Sequence, residues 1–162
     1  MWISGPLDVG PYCAPRTVAI TRQHVADARE ICAVLEHGTD RTMQVALTRL
    51  DDACHRQGYR GGTDRVLDWM IALEAMLGGG DAPISHTVAT RAARLMSPSN
   101  RRLGFRETMK AAYNMRSHLV HGSTSEPDRE LVYFISEAVI LVARASCLCR
   151  ARYPQRKFLD LV

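Results

Sequence analysis

Apolar side chains recur at every third or fourth position through six successive segments of this chain, and nowhere do they alternate long enough to make a strand. That period belongs to amphipathic helices, so the expected fold is all-α: a compact bundle of five to six helices joined by short loops. From Thr21, Val25, Ala28, Ile31, Cys32 and Leu35 form one stripe, and Gly38 stops it. Asp40 caps a second helix with Met43, Ala46, Leu47, Leu50 and Cys54 on its stripe, ending near Gly58. Gly61 and Gly62 read as a loop. Thr63 or Asp64 then caps a third helix lined by Val66, Leu67, Met70, Leu73, Glu74 and Leu77, which ends at Gly78, Gly79 and Gly80.

Ser85 opens a fourth segment through Val88, Ala92, Leu95 and Met96, closed by Pro98. The fifth helix runs from about Arg102 to His121, with Gly122 beyond its end. Pro127 introduces the sixth, from about Asp128 to Arg152, which is apolar on most faces and therefore central. Ahead of all six, residues 1–17 hold Gly5, Pro6, Gly10, Pro11 and Pro15 and read as an extended lead-in or the end of an upstream domain. Residues 18–162 are expected to form one helical domain.

The longest apolar stretch, Leu131 to Ala143, is broken by Ser136 and Glu137 and is shorter than the ~20 residues that span a bilayer. It reads as a core helix, with no membrane partner. The N-terminus lacks the basic and apolar regions of a signal peptide. The five cysteines, Cys13, Cys32, Cys54, Cys147 and Cys149, form no CxxC pair. Cys32, Cys54 and Cys147 fall in helical patterns and read as small apolar residues, so a reduced, cytoplasmic protein is expected. His24, His37, His55 and His86 have no metal-ligand spacing, and neither a metal nor a cofactor is expected. No P-loop, GxGxxG, HExxH or GxSxG occurs.

Charge is uneven along the chain. Arg91, Arg94, Arg101, Arg102, Arg106, Lys110 and Arg116 stand against Glu107 alone between residues 91 and 122. The first 90 residues are net negative. A concentrated positive block suits a polyanion, because neutralising phosphates drives nonspecific nucleic-acid binding. Arg101, Arg102, Arg106 and Lys110 are the candidate RNA contacts. A DNA-binding module is the weaker match, since no helix-turn-helix spacing is present.

Arg116 lies near the centre of the fifth helix's apolar stripe of Met109, Ala112, Tyr113, Leu119 and Val120. An arginine keeps its charge, so it needs an anionic partner there. That partner is either Glu74 or Glu137 within the fold, or a ligand phosphate in a cleft. Ser117 and His121 follow along one edge of the helix, and His118 points to the opposite, solvent side. A guanidinium that holds a phosphodiester and an imidazole that moves a proton make a plausible catalytic pair. In an ideal helix His121 falls about 140° round from Arg116. Either the last turn distorts or two copies combine at a symmetric contact.

The segment Arg116-Ser-His-Leu-Val-His121 resembles the Rx4–6H motif of HEPN domains. Leu73-Glu74-Ala75-Met76-Leu77, Thr90 to Leu95 and Tyr113 to Gly122 are similar to the pattern of the ApeA-like branch, over residues 63–152. The resemblance implies a dimer whose two motifs face each other, and metal-independent RNA cleavage by 2′-hydroxyl attack. Arg116 would then stabilise the pentavalent phosphate, His121 act as general acid or base, and Ser117 orient one of them. Glu74 is the first candidate for a supporting acid and Glu107 the second. Many HEPN domains are instead noncatalytic dimerisation or nucleotide-sensing modules that regulate a partner domain. Catalytic ones serve in antiviral defence or as toxins. Domains of this branch usually close longer proteins, so an upstream sensor domain or partner protein is expected.

Overall fold

The computed structural model describes residues 21–38, 40–56, 61–79, 82–96, 99–123 and 126–153. Six α-helices follow one another: α1 (Arg22–Glu36), α2 (Arg41–His55), α3 (Gly61–Leu77), α4 (Ile84–Met96), α5 (Arg102–Val120) and α6 (Arg129–Arg152). A single 3₁₀ turn, Ser99–Arg101, leads into α5. The expected all-α bundle is what the chain forms. The expected lead-in, Cys13, Gly58, Gly80 and Pro98 lie outside the described residues.

The helix starts are set by side chains that accept from amides the helix leaves unpaired. The Thr21 hydroxyl accepts from the His24 amide, and the Thr21 amide donates to Nδ1 of the His24 ring. Asp40 accepts from Met43 and Asp128 from Leu131. One expectation needs correction at α3. Gly61 and Gly62 form its first turn rather than a loop, so Thr63 and Asp64 lie inside the helix. The Asp64 carboxylate then sits in the first turn, where the helix dipole favours it.

Two arginines close the C-terminal ends. Arg65 donates from Nε to the Ala53 carbonyl and from Nη2 to the Arg56 carbonyl, at the end of α2. Arg91 donates from Nη1 to the carbonyls of Leu77, Gly78 and Gly79, at the end of α3. Both therefore serve the fold, and Arg91 is spent from the basic block.

The core lies between α3 and α6. Val66, Met70, Leu73 and Leu77 of α3 meet Ile135, Val139 and Val142 of α6, all fully buried. Each such side chain contributes about 1.5–3 kcal/mol by leaving water. α2 packs on α3, α1 on α6, and the α4–α5 pair lies against both central helices. α6 is, by length and composition, the one described helix able to cross a membrane. Here it buries one face against α1, α3, α4 and α5.

The outer helices are less buried than their stripes predict. Val25 and Leu35 on α1 and Val120 on α5 are exposed, as are Cys32 and Cys54, so these two thiols are not core residues. On α2 Met43 and Ala46 are buried as expected, and Ala53 is buried in place of Cys54. α6 also leaves Tyr133, Ile140 and Leu141 open on one side, so it is central without being enclosed.

Candidate functional site

The end of α5 is built by its last three residues and the glycine after them. The His121 amide donates to the Ser117 carbonyl, Gly122 to Leu119 and Ser123 to His118. Gly122 takes φ +69°, the left-handed conformation that lets both capping bonds form. The final turn is therefore regular and His121 sits at its end, exposed. The distortion that would carry its ring toward Arg116 does not occur.

Arg116 lies one turn earlier, facing α3. Its Nη2 is 3.8 Å from an Oε of Glu74, an ion pair too long for a hydrogen bond. The Arg116 side chain is 35% exposed and that of Glu74 18%. The Arg116 Nε is enclosed and donates to nothing. So Glu74, the expected partner, accounts for the arginine's position but leaves its donors unspent. Glu137, the other expected partner, is exposed on α6, and no ion pair is recorded for it among the described residues.

A cavity of about 470 Å³ opens beside this pair. Glu74 of α3, Ile84, Ser85 and His86 of α4, and Lys110, Tyr113, Asn114, Arg116 and Ser117 of α5 line it. Four of the expected residues thus come together: Arg116, Ser117, Glu74 and Lys110. His121 does not line the cavity. It continues the α5 stripe of Lys110, Asn114 and Ser117, about 6 Å further along the axis from Ser117. The imidazole that does line the cavity is His86, which sequence spacing set aside with the scattered histidines.

Tyr113 is 8% exposed, and its hydroxyl is buried with no hydrogen-bond partner. Burial, and then the nearby Glu74 charge, push its phenol far above the usual range, opposed by Arg116. The group therefore remains a neutral hydroxyl at any ordinary pH. The Glu74 carboxylate acts on it both through its charge and as a weak acceptor, short of full hydrogen-bond geometry.

The remaining basic residues lie toward the start of α5. Arg101 and Arg102 are exposed at its N-terminus. Arg106 and Lys110 flank Glu107 at 3.4 and 3.0 Å. The Lys110 hydrogen bond, aided by Arg106, holds the Glu107 carboxyl below its usual range. Glu107 is thus a charged partner of the basic strip rather than a second acid beside Arg116. From Arg102 to Arg116 the helix rises about 20 Å.

Among the described residues, no three His, Cys, Asp or Glu side chains converge as metal ligands would. Compared with known protein families, with curated proteins and with solved structures, the chain matches none.

Proposed function

We propose that this protein is a metal-independent endoribonuclease of the HEPN type, acting in antiviral defence or as a toxin in the cytoplasm. The observation that carries the reading is Arg116: a half-buried guanidinium with an unspent Nε, at the edge of a cavity shared with Lys110 and Ser117. In this reaction the RNA 2′-oxygen forms a bond to phosphorus and the 5′-oxygen leaves. A base takes the 2′ proton and an acid gives one to the departing oxygen. Arg116 stabilises the extra negative charge on the five-coordinate phosphorus. His121 is the proton carrier, and Ser117 bonds the phosphate or orients a partner. His121 lies outside the Arg116 cavity of its own chain, so it acts across a two-fold contact on the cavity of a second copy. Arg101, Arg102, Arg106 and Lys110 bind the RNA backbone along α5, with Glu74 orienting Arg116.

The Arg116–Glu74 pair favours a second reading, a noncatalytic dimerisation or nucleotide-sensing module that regulates a partner domain. Incubation with labelled single-stranded RNA in EDTA separates the two. Cleavage to a cyclic phosphate is expected from the parent and not from Arg116→Ala or His121→Ala. An inert parent that still dimerises, or a variant that cuts as well as the parent, would refute the ribonuclease reading.

A further inference from the structure

α6 keeps one face uncovered. Between Leu131 and Ala151 its exposed residues are Tyr133, Glu137, Ile140 and Leu141. With the half-buried Arg144 and Leu148 they fall within about 100° of arc, one stripe along the helix. Leu141, Arg144 and Leu148 also border a cavity of about 300 Å³ that Leu95 closes from α4. Two charges interrupt the apolar stripe. Glu137 makes no ion pair among the described residues. Arg144 gives one Nη to Asp27 and is still 41% exposed, and a guanidinium has donors for a second carboxylate. Glu137 and Arg144 are two turns apart, about 10 Å, too far to meet within the helix. They stand at equal distances either side of the point between Ile140 and Leu141. So do Tyr133 and Leu148.

We infer that this face is a contact with a second copy of the chain, α6 against α6 and antiparallel, about a two-fold axis between Ile140 and Leu141. Under that symmetry Ile140 meets Leu141, Tyr133 meets Leu148, and Glu137 of each copy meets Arg144 of the other. A lipid surface would take Glu137 out of water with no partner. A second copy supplies the partner twice. The charges also set the direction, because a parallel pairing would face Glu137 with Glu137 and Arg144 with Arg144. One helix face per copy is a small contact, of the class under about 1,200 Å² with micromolar affinity.

This contact is separate from the one invoked for His121. The Arg116 cavity and His121 lie toward the end of α5, where the chain turns into α6. From the axis to the start of α6 is about 17 Å, so an antiparallel contact holds these ends of the two copies about 35 Å apart. His121 does not reach the second copy's cavity through it, and the inference stands independently of the ribonuclease reading.

The test is sedimentation of the full chain at up to about 500 µM, well above the expected dissociation constant. The parent should dimerise, more weakly as salt rises. Glu137→Gln removes the attraction from both pairs and should weaken the dimer about tenfold, while Glu137→Arg adds repulsion and should weaken it about a hundredfold. Glu137 is exposed, so both variants should melt with the parent. A short bis-maleimide reads the register. Ile140→Cys, beside the axis, should cross-link well beyond the parent's own thiols. Tyr133→Cys should not, since its two copies lie about 22 Å apart along the helices. If the His121 contact also forms, the parent is a tetramer and Glu137→Arg reduces it to a dimer. A parent that stays monomeric at the highest concentration would overturn the contact. So would a dimer that Glu137→Arg leaves as tight, or one that cross-links through Tyr133→Cys as readily as through Ile140→Cys.

Discussion

Replacing Arg91 by methionine should destabilise the bundle by about 2–3 kcal/mol. Its Nη1 lies 2.7, 2.8 and 3.1 Å from the carbonyls of Leu77, Gly78 and Gly79. One Nη carries two hydrogens, so three acceptors amount to two good bonds and one shared. Bonds of this kind, from a charged donor in a partly exposed setting, contribute about 1 kcal/mol each. A cation at the C-terminal end of α3 adds about 0.5 kcal/mol through the helix dipole. Methionine keeps most of the stem's apolar packing, so the loss isolates the guanidinium. In a chain of this length each kcal/mol moves the melting temperature by roughly 2–4 °C. The expected fall is about 5–10 °C by scanning calorimetry, with a matching change in the urea midpoint and an unchanged slope. Arg91→Lys should lose about half as much, because a single ammonium retains the charge but not the fork. A fall of under about 2 °C for Arg91→Met would refute the view that this side chain holds the α3–α4 connection.

Gly78→Ala should be costlier than an ordinary glycine substitution. The new Cβ would stand 2.3 Å from the Glu74 carbonyl oxygen, a backbone atom that can move only by opening the last turn of α3; a loss of more than about 2 kcal/mol on denaturant unfolding is expected, and a neutral variant would contradict the packing described. Acid should loosen α1 through Asp27, whose carboxyl is held below its usual range by the Arg144 hydrogen bond first and by Gln23 next. A depressed folded pKa gives stability that is present above about pH 4 and lost as pH falls through the folded value. The parent's stability should therefore drop more steeply below pH 4 than that of Asp27→Asn, and parallel curves would refute the linkage.

The helices were legible because their signals are local. Asp40, Asp128, Gly38 and Gly122 each stop or start a helix through atoms within a few residues, and sequence places them within a residue or two. The start of α3 departs from the sequence pattern because a glycine pair usually breaks a helix, whereas Gly61 and Gly62 are carried by it here. The site was half legible. Arg116 could be singled out because a permanent charge on an apolar stripe is visible in one helix alone. His86 could not, because it lines the same cavity as Arg116 only through the packing of α4 on α5. The same holds for Arg65 and Arg91, whose acceptors lie 9 to 14 residues away and are main-chain atoms, which no charge pattern reveals. The one signal that pointed across helices was Glu74, an acid on the α3 core stripe that matches Arg116.

α1 is joined to the molecule differently from the other helices. It packs on α6, where Asp27 meets Arg144 and Arg152, and Glu30 meets Arg152, while Val25, Ala28 and Cys32 line an open groove on its far side. Little apolar surface would be uncovered if it came away, and ion pairs with exposed arginines weaken as salt screens them. α1 is thus the first piece of the fold to open, at a free energy set by ionic strength rather than by the core. None of the residues lining the Arg116 cavity belongs to it. The chain can release its first helix and keep its cavity, so the opening of α1 and the occupancy of the cavity are separate equilibria within one small protein.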